Sequence, residues 1–359
     1  MTEQECLEKM VPPGKVRPGK PAGGVIQIHV TRACDLACFN CTQGSQLGGK
    51  VEFMSPDMFE KAIRSLEGYF GVVGVFGGNA CLSPHFGEYC KILRQHVPQK
   101  RCGLWSNNIK EWGWECSQTF NPAVSNLNVH LSQEAYDNIR RTWKEARPFG
   151  LDRDSRHSPC YVAIKDVLRR SCRTCGGAGN MVNPKADSCV ERVDCAMCNG
   201  SGSVYDEDKA WELISGCDIN QHWSALIGMF RGELRAWFCE IAGAQSMLHQ
   251  HEPDYPDTGK KVCVEASSPQ YKGVPWWQKP MTSFADQVRK HCHECGVPLR
   301  GHGELSQSLS PESREQVSQT HQSVYKPKRK GRSVELVTVP AQLGKPLEIV
   351  THYLQNADK

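Results

Sequence analysis

The sequence predicts an α/β fold built on a parallel sheet, and three observations carry that prediction. Strand-like and helix-like apolar patterns alternate from residue 25 onward, as they do when helices cross over between parallel strands. One strand pattern, Val72 to Phe76, is apolar throughout except for Gly74, which marks a strand covered on both faces. Three segments bearing Cys, Gly, Ser and Asn each follow a strand pattern directly, where the sites of such sheets lie.

Taken in order, residues 1–24 are rich in Pro, Gly and Lys (Pro12-Pro13-Gly14, Pro18-Gly19-Lys20-Pro21) and read as an irregular lead-in. From Val25 to Val30, Ile26, Ile28 and Val30 alternate with Gln27 and His29, a strand pattern in which His29 reads as a packed polar residue. After Gly48-Gly49, Ser55-Pro56 supplies an N-cap and a first-position proline for a helix with Phe59, Ala62, Ile63 and Leu66 on one face. The alternation continues through a helix near Phe86 to Gln95 and strands near Gly103 to Trp105 and Leu127 to Leu131. A helix from Gln133 to Ala146, with Tyr136, Ile139 and Trp143 on one face, then precedes a strand from Tyr161 to Ile164.

Residues 171–203 break the pattern, being polar and poor in large apolar residues. Helical spacing resumes at Ala210, Leu213, Ile214 and Cys217. A hairpin is expected from His222 to Ile241, turning at Arg231-Gly232-Glu233, with Cys239 on its returning strand Leu234 to Ile241. Residues 250–282, including Trp276-Trp277, read as loop. A short helix capped by Ser283, with Ala285, Val288 and Cys292 on one face, delivers Cys292-His293-Glu294-Cys295 and a turn at Gly296. The remainder is polar, with a basic run Lys326 to Arg332 that reads as a solvated linker and one strand-like piece, Val334 to Val339.

At 359 residues the chain is long enough for a core that needs no disulfides, and its net charge of +4 suggests no general polyanion binding. It has no run of eighteen apolar residues and no export-type start, so a cytoplasmic protein without membrane spans is expected. Its 19 cysteines, many in tight Cys-x-x-Cys pairs, point to metal ligation in a reducing compartment. Cys34, Cys38 and Cys41 are spaced Cys-x3-Cys-x2-Cys in the loop after the first strand, a pattern that chance produces only about 0.05 times in such a chain. Three thiolates on one soft metal centre leave a coordination position open. A structural zinc completed by a distant cysteine is the bland alternative.

This triplet resembles the cluster motif of the radical S-adenosylmethionine (SAM) superfamily. The resemblance implies a partial (β/α)6 TIM-like barrel, a 4Fe–4S cluster on Cys34, Cys38 and Cys41 with SAM on the fourth iron, and reductive cleavage of SAM to a 5′-deoxyadenosyl radical. Gly77-Gly78-Asn79 is similar in position to the family's Gly-Gly-Glu motif, whose backbone meets the SAM amine, and Ser106-Asn107-Asn108 is placed to bind the ribose hydroxyls. Two departures are Asn40, where the family has an aromatic residue before the last cysteine (Phe39 is one earlier), and Asn79 in place of the motif glutamate.

Cys172-Arg-Thr-Cys175-Gly-Gly-Ala-Gly179 and Cys195-Ala-Met-Cys198-Asn-Gly-Ser-Gly202 are two copies of one unit and resemble the zinc-binding repeats of the DnaJ cysteine-rich domain. Zinc on these four thiols is expected ahead of a redox or cluster role, with Cys189 unassigned. Cys217, Cys239, Cys292 and Cys295 resemble the twitch form of the SPASM extension, which implies an auxiliary 4Fe–4S cluster; structural zinc, and for Cys217 a buried free thiol, stay open. The expected organisation is a lead-in (1–24), a core (25–170), a zinc insertion (171–205), the end of the core (206–241), a twitch-like metal subdomain (242–302) and a polar tail (303–359). The function so implied is radical SAM chemistry on an unidentified substrate, with a peptide as the leading class and a flavodoxin or ferredoxin as reductant. The competing reading is a non-catalytic zinc and iron–sulfur protein that holds a polypeptide or RNA. Cys81, Cys160 and Tyr205 carry no assignment.

Overall fold

The computed structural model describes residues 1–15, 24–36, 41–44, 51–129, 131–150, 163–182, 192–222, 224–262 and 273–300. Expectations for Cys38, Cys160, Cys189, Gly48-Gly49 and the tail beyond residue 300 lie outside them.

The main sheet has seven strands. Strands β1 (Val25–His29), β2 (Val72–Phe76), β3 (Cys102–Ser106) and β4 (Asn126–Leu127) run parallel, and β9 (Ser224–Phe230) adds to the other side of β1, also parallel. Antiparallel β10 (Glu233–Trp237) and β11 (Lys260–Lys261) complete the order β11-β10-β9-β1-β2-β3-β4. Among the described residues this sheet is open, with five parallel strands, which fits the expected α/β class; the strand expected from Tyr161 lies mostly outside them. Helices α2 (Pro56–Arg64), α3 (Phe86–His96), α4 (Gly113–Thr119) and α5 (Gln133–Thr142) pack on one another in sequence, as right-handed crossovers stepping one way along a sheet require.

Local chemistry explains these elements. Ser55 Oγ accepts the Met58 N–H and Pro56 opens α2, which buries Phe59, Ala62 and Ile63, with Phe59 and Ile63 each stabilising by roughly 1.5–3 kcal/mol. Arg231 and Gly232 both hold positive φ (50° and 80°), the backbone of a tight two-residue turn between β9 and β10.

Several expectations are corrected. The lead-in contains helix α1 (Glu3–Lys9), because Thr2 and Glu5 form a reciprocal capping box and Cys6, Leu7 and Met10 are buried in the core. The strand expected over Leu127 to Leu131 stops at Leu127: Asn128 and Leu131 turn left-handed (φ 58° and 57°), and the Asn128 side chain bonds Ser132 N and Phe149 O. Helix α5 ends at Thr142 rather than Ala146, where Arg140 donates to the Lys144 and Ala146 carbonyls. Ile164, expected at a strand end, opens helix α6 (Ile164–Val167). The returning hairpin strand stops at Trp237, and Cys239 is the N-cap of helix α9 (Glu240–His249).

The described part of residues 250–282 holds β11 and 3-10 turns at Trp276–Gln278 and Met281–Phe284, and Trp276 and Trp277 are buried, Trp277 Nε1 donating to Ser65 O and its carbonyl accepting Gly14 N. Helix α10 (Ala285–His291) has Phe284, not Ser283, at its N-cap. Cys217 sits in the turn between α7 (Glu207–Ser215) and α8 (Asp218–His222), beyond the helical face it was given. The cysteine-rich insertion builds its own two ribbons, β5 (Arg169–Ser171) with β8 (Ser203–Tyr205) and β6 (Asn180–Val182) with β7 (Arg192–Asp194). No helix among the described residues is long and apolar enough to cross a membrane.

Candidate metal centres

None of the fifteen described cysteines is in a disulfide. They include parts of three groups, and the structure treats each group differently.

The first group leaves β1. Arg32, 7 % exposed, donates from Nη2 to Gly44 O (3.0 Å), and Gly44 N donates to Cys41 O (3.0 Å). These bonds close the neck of a loop on which Cys34 and Cys41 stand half-buried. The loop is seated on the end of β2: Gly78 N donates to Thr31 O (2.8 Å) and Asn79 N to Ala33 O (2.7 Å). A Cβ on Gly77 would lie 2.6 Å from Thr31 O, and one on Gly78 would lie 2.3 Å from Ala33 O. Side chains at either position would therefore push the cysteine loop off its seat. Asn79 is fully buried and used internally, its Oδ1 accepting from Ser106 Oγ and Cys81 N and its Nδ2 donating to Asn108 O. Asn108 Oδ1 accepts from Lys110 N and Asn138 Nδ2.

Asn107, after β3, keeps a polar atom uncommitted among the described residues. Its Nδ2 donates to Asp35 Oδ1 (2.9 Å), while its Oδ1 is buried without a partner among the described residues. Asp35, inside the cysteine motif, also pairs with Lys110 Nζ (2.5 Å). Burial works to raise the Asp35 carboxyl, but the hydrogen bonds from Lys110 and Asn107 outweigh it and hold it below the usual range. The three segments expected to share one sheet edge do so. The sequence reading missed Arg32, Asp35 and Lys110, of which only Asp35 was signalled, by its place within the motif.

The second group is the paired knuckle. The Sγ atoms of Cys172, Cys175, Cys195 and Cys198 all lie within 4.8 Å of one another, with Cys172 to Cys195 at 3.8 Å and Cys175 to Cys198 at 3.7 Å. A tetrahedral zinc with Zn–S bonds of about 2.3 Å spaces its sulfurs about 3.8 Å apart, so these residues fit that ion. The two units lock reciprocally: Cys172 N donates to Gly202 O and Cys195 N to Gly179 O. Gly179 and Gly202 have φ of 79° and 73°, and a Cβ on either would meet a carbonyl of the opposite knuckle, Gly200 or Gly177, at 2.2 Å. Backbone amides lower the Cys172 thiol to about 6, whereas burial pushes Cys198 up to about 11.

The third group is Cys217, Cys239, Cys292 and Cys295. All four line one cavity walled by Ile219, Phe238, Ile241 and Val297. No three of these thiols come as close as the knuckle's four. Burial raises Cys239 and Cys292 well above the ordinary thiol range, and the neighbouring thiols raise them further, so four thiolates here need a cationic group to share their charge. Cys6 of α1 is buried beside Cys217 and was not anticipated.

Comparison with known proteins finds no matching family model and no matching curated protein. The chain is similar to the crystal structure of BtrN in complex with AdoMet and 2-DOIA, with a TM-score of 0.41 and 13 % identity over 79 % of this chain and 96 % of that one. A likeness at that level leaves the chemistry to be argued from this chain's own residues.

Proposed function

We propose that the protein is a radical SAM enzyme that binds a 4Fe–4S cluster at Cys34, Cys38 and Cys41 and cleaves SAM to begin radical chemistry. The observation that carries this reading is the seating of the loop that bears Cys34 and Cys41 on the carboxyl end of β2, beside a buried Asn107 amide oxygen with no partner among the described residues. When bound, the reduced cluster supplies the electron that splits SAM into methionine and a 5′-deoxyadenosyl radical. The protein's part is to hold and orient. Arg32 closes the loop neck and places a buried positive charge beside an anionic cluster. Gly77 and Gly78 let the loop approach β2; the carbonyls of this turn are the acceptors available to the SAM amine, since the Gly78 and Asn79 N–H groups already serve the loop. Asn107 Oδ1 would accept a ribose hydroxyl, while Ser106 and Asn108 are bonded to each other and to Asn79. The buried internal role of Asn79 accounts for the absence of a charged residue at that place.

Zinc at the knuckle gives a segment with few apolar side chains its folding energy. The wider spacing of the third group favours an auxiliary 4Fe–4S cluster over zinc, because a cluster binds each thiolate through a different iron. A low-potential flavodoxin or ferredoxin is the reductant, in a reducing cytoplasm. The test is metal analysis with electron paramagnetic resonance on anaerobically purified protein. One zinc, about eight irons and a reduced-cluster signal that changes on adding SAM are expected. Reduced clusters whose signals ignore SAM would overturn the reading.

A further inference from the structure

Both ends of the inserted knuckle hold the third cysteine group. The insertion leaves the core after α6 and returns through β8 into α7, and each flank bonds one of the two residues between Cys292 and Cys295. From the outgoing flank, Lys165 Nζ pairs with Glu294 Oε1 at 3.2 Å. From the returning flank, the Tyr205 hydroxyl is hydrogen-bonded to His293 Nδ1. The His293 ring stands nearly at right angles to two aromatic neighbours, Trp211 of α7 at 4.3 Å and Tyr205 at 5.7 Å between centroids. His293 and Glu294 belong to the 3-10 turn Cys292–Glu294, which closes with Cys295 N donating to Cys292 O (3.3 Å).

The placement of Tyr205 follows from the closed knuckle. Tyr205 ends β8, whose register with β5 pairs Arg169 with Tyr205 and Ser171 with Ser203. One residue further, Cys172 N donates to Gly202 O (2.9 Å), which joins the ribbon to the metal-binding turns. Arg169 Nη2 donates to Ser203 O (3.1 Å) and Asp206 N to Leu168 O (3.1 Å), so the register carries through to Tyr205.

We propose that zinc at the knuckle positions the Cys292–Cys295 loop, with Tyr205 and Lys165 as positioning residues acting on His293 and Glu294, so that the two metal sites are thermodynamically coupled. Zinc supplies the folding energy of a segment with few apolar side chains, so its loss frays β5–β8 and takes Tyr205 off His293. The loop that carries two of the third group's four thiols then loses its outer support. The coupling is reciprocal, metal on the third group tightening the knuckle by the same factor. One neutral hydrogen bond and one half-exposed ion pair set that factor at about ten. The inference rests on the reading that both cysteine groups hold metal.

The experiment is amide hydrogen exchange on the full-length, metal-loaded protein, read by mass spectrometry over the Cys292–Cys295 loop and over β5–β8, with metal counted on the same samples. Cys175→Ser, which cannot complete the four-thiol site, should speed exchange in the loop about tenfold, and the third group should lose its metal to excess chelator faster by the same factor. Tyr205→Phe combined with Lys165→Met should do the same while zinc stays bound and β5–β8 stays protected. Adding Cys175→Ser to that pair should speed the loop no further, since the connection is already cut. Effects that multiply, or a loop indifferent to Cys175→Ser while β5–β8 opens, would overturn the coupling. Exchange in β1–β3 monitors the core; if Cys175→Ser disturbs it, Gly179→Ala stripped of zinc by a chelator takes its place in the same comparison. Protein that purifies without knuckle zinc would sink the metal reading and the inference with it, whereas zinc bound beside a loop that ignores its loss would sink the inference alone.

Discussion

Gly179→Ala tests how the paired knuckle closes on its metal. Gly179 holds φ of 79°, and a Cβ there would sit 2.2 Å from Gly200 O, where ordinary contact begins near 3.4 Å. The left-handed backbone alone costs about 1–2 kcal/mol for alanine. The displacement of about 1 Å needed to relieve the clash breaks the Cys195 N to Gly179 O bond, about 1 kcal/mol more. A total of about 2–3 kcal/mol lowers zinc affinity roughly 30- to 140-fold. Structural zinc in such sites binds with about 10–16 kcal/mol, so the variant should still load zinc but lose it in competition. The control is Gly176→Asn: Gly176 also has positive φ, but nothing lies within 4 Å of its Cβ position, and Asn199 holds the matching place in the second unit with φ of 46°. That change should weaken zinc less than about tenfold. Titration of full-length protein against a chromophoric chelator measures both. Equal affinities for Gly179→Ala and Gly176→Asn would refute the reasoning.

Gly78→Ala should unseat the cysteine loop through its 2.3 Å approach to Ala33 O and cut iron bound at the first centre by more than half, while knuckle zinc, measured on the same sample, stays unchanged. Cys239→Ser should remove about four irons and leave the SAM-responsive signal, and loss of zinc in its place would assign that cavity to zinc. Burial, aided by the charge on Arg32, lowers His29 from 6.5 to about 3. The unfolded chain therefore takes up the proton first: the stability held above pH 6.5 is lost as pH falls toward 3, at about 1.4 kcal/mol per unit. His29→Gln should flatten the pH dependence of urea unfolding across that window, and parallel slopes would show that His29 is not buried neutral.

Much of this architecture is legible in the sequence because local chemistry sets it. Ser55-Pro56 marks the start of α2, the apolar Val72 to Phe76 marks β2, and the repeated Cys-x-x-Cys-x-Gly-x-Gly units mark a closed four-thiol site. The misses arise where a local pattern is overruled by backbone conformation or by distant contacts. Leu127 to Leu131 alternates like a strand, but Asn128 and Leu131 turn left-handed. The capping box at Thr2 and Glu5 is readable, yet the proline and glycine behind it masked a helix whose stability comes from burial of Cys6 and Leu7. Strand pattern alone carried Cys239 into β10, whereas the chain turns there into α9. The Gly77-Gly78 motif was legible as a site, but its seating of the Thr31 to Ala33 backbone is a tertiary approach that no spacing reveals.

The most direct measurement is the product of SAM under reduction. Anaerobically reconstituted protein, given dithionite and SAM, should release 5′-deoxyadenosine and methionine, and Cys41→Ala should release neither while retaining its knuckle zinc. A fully loaded wild-type protein that forms no 5′-deoxyadenosine, or a Cys41→Ala variant that still does, would contradict the assignment of the cysteine loop.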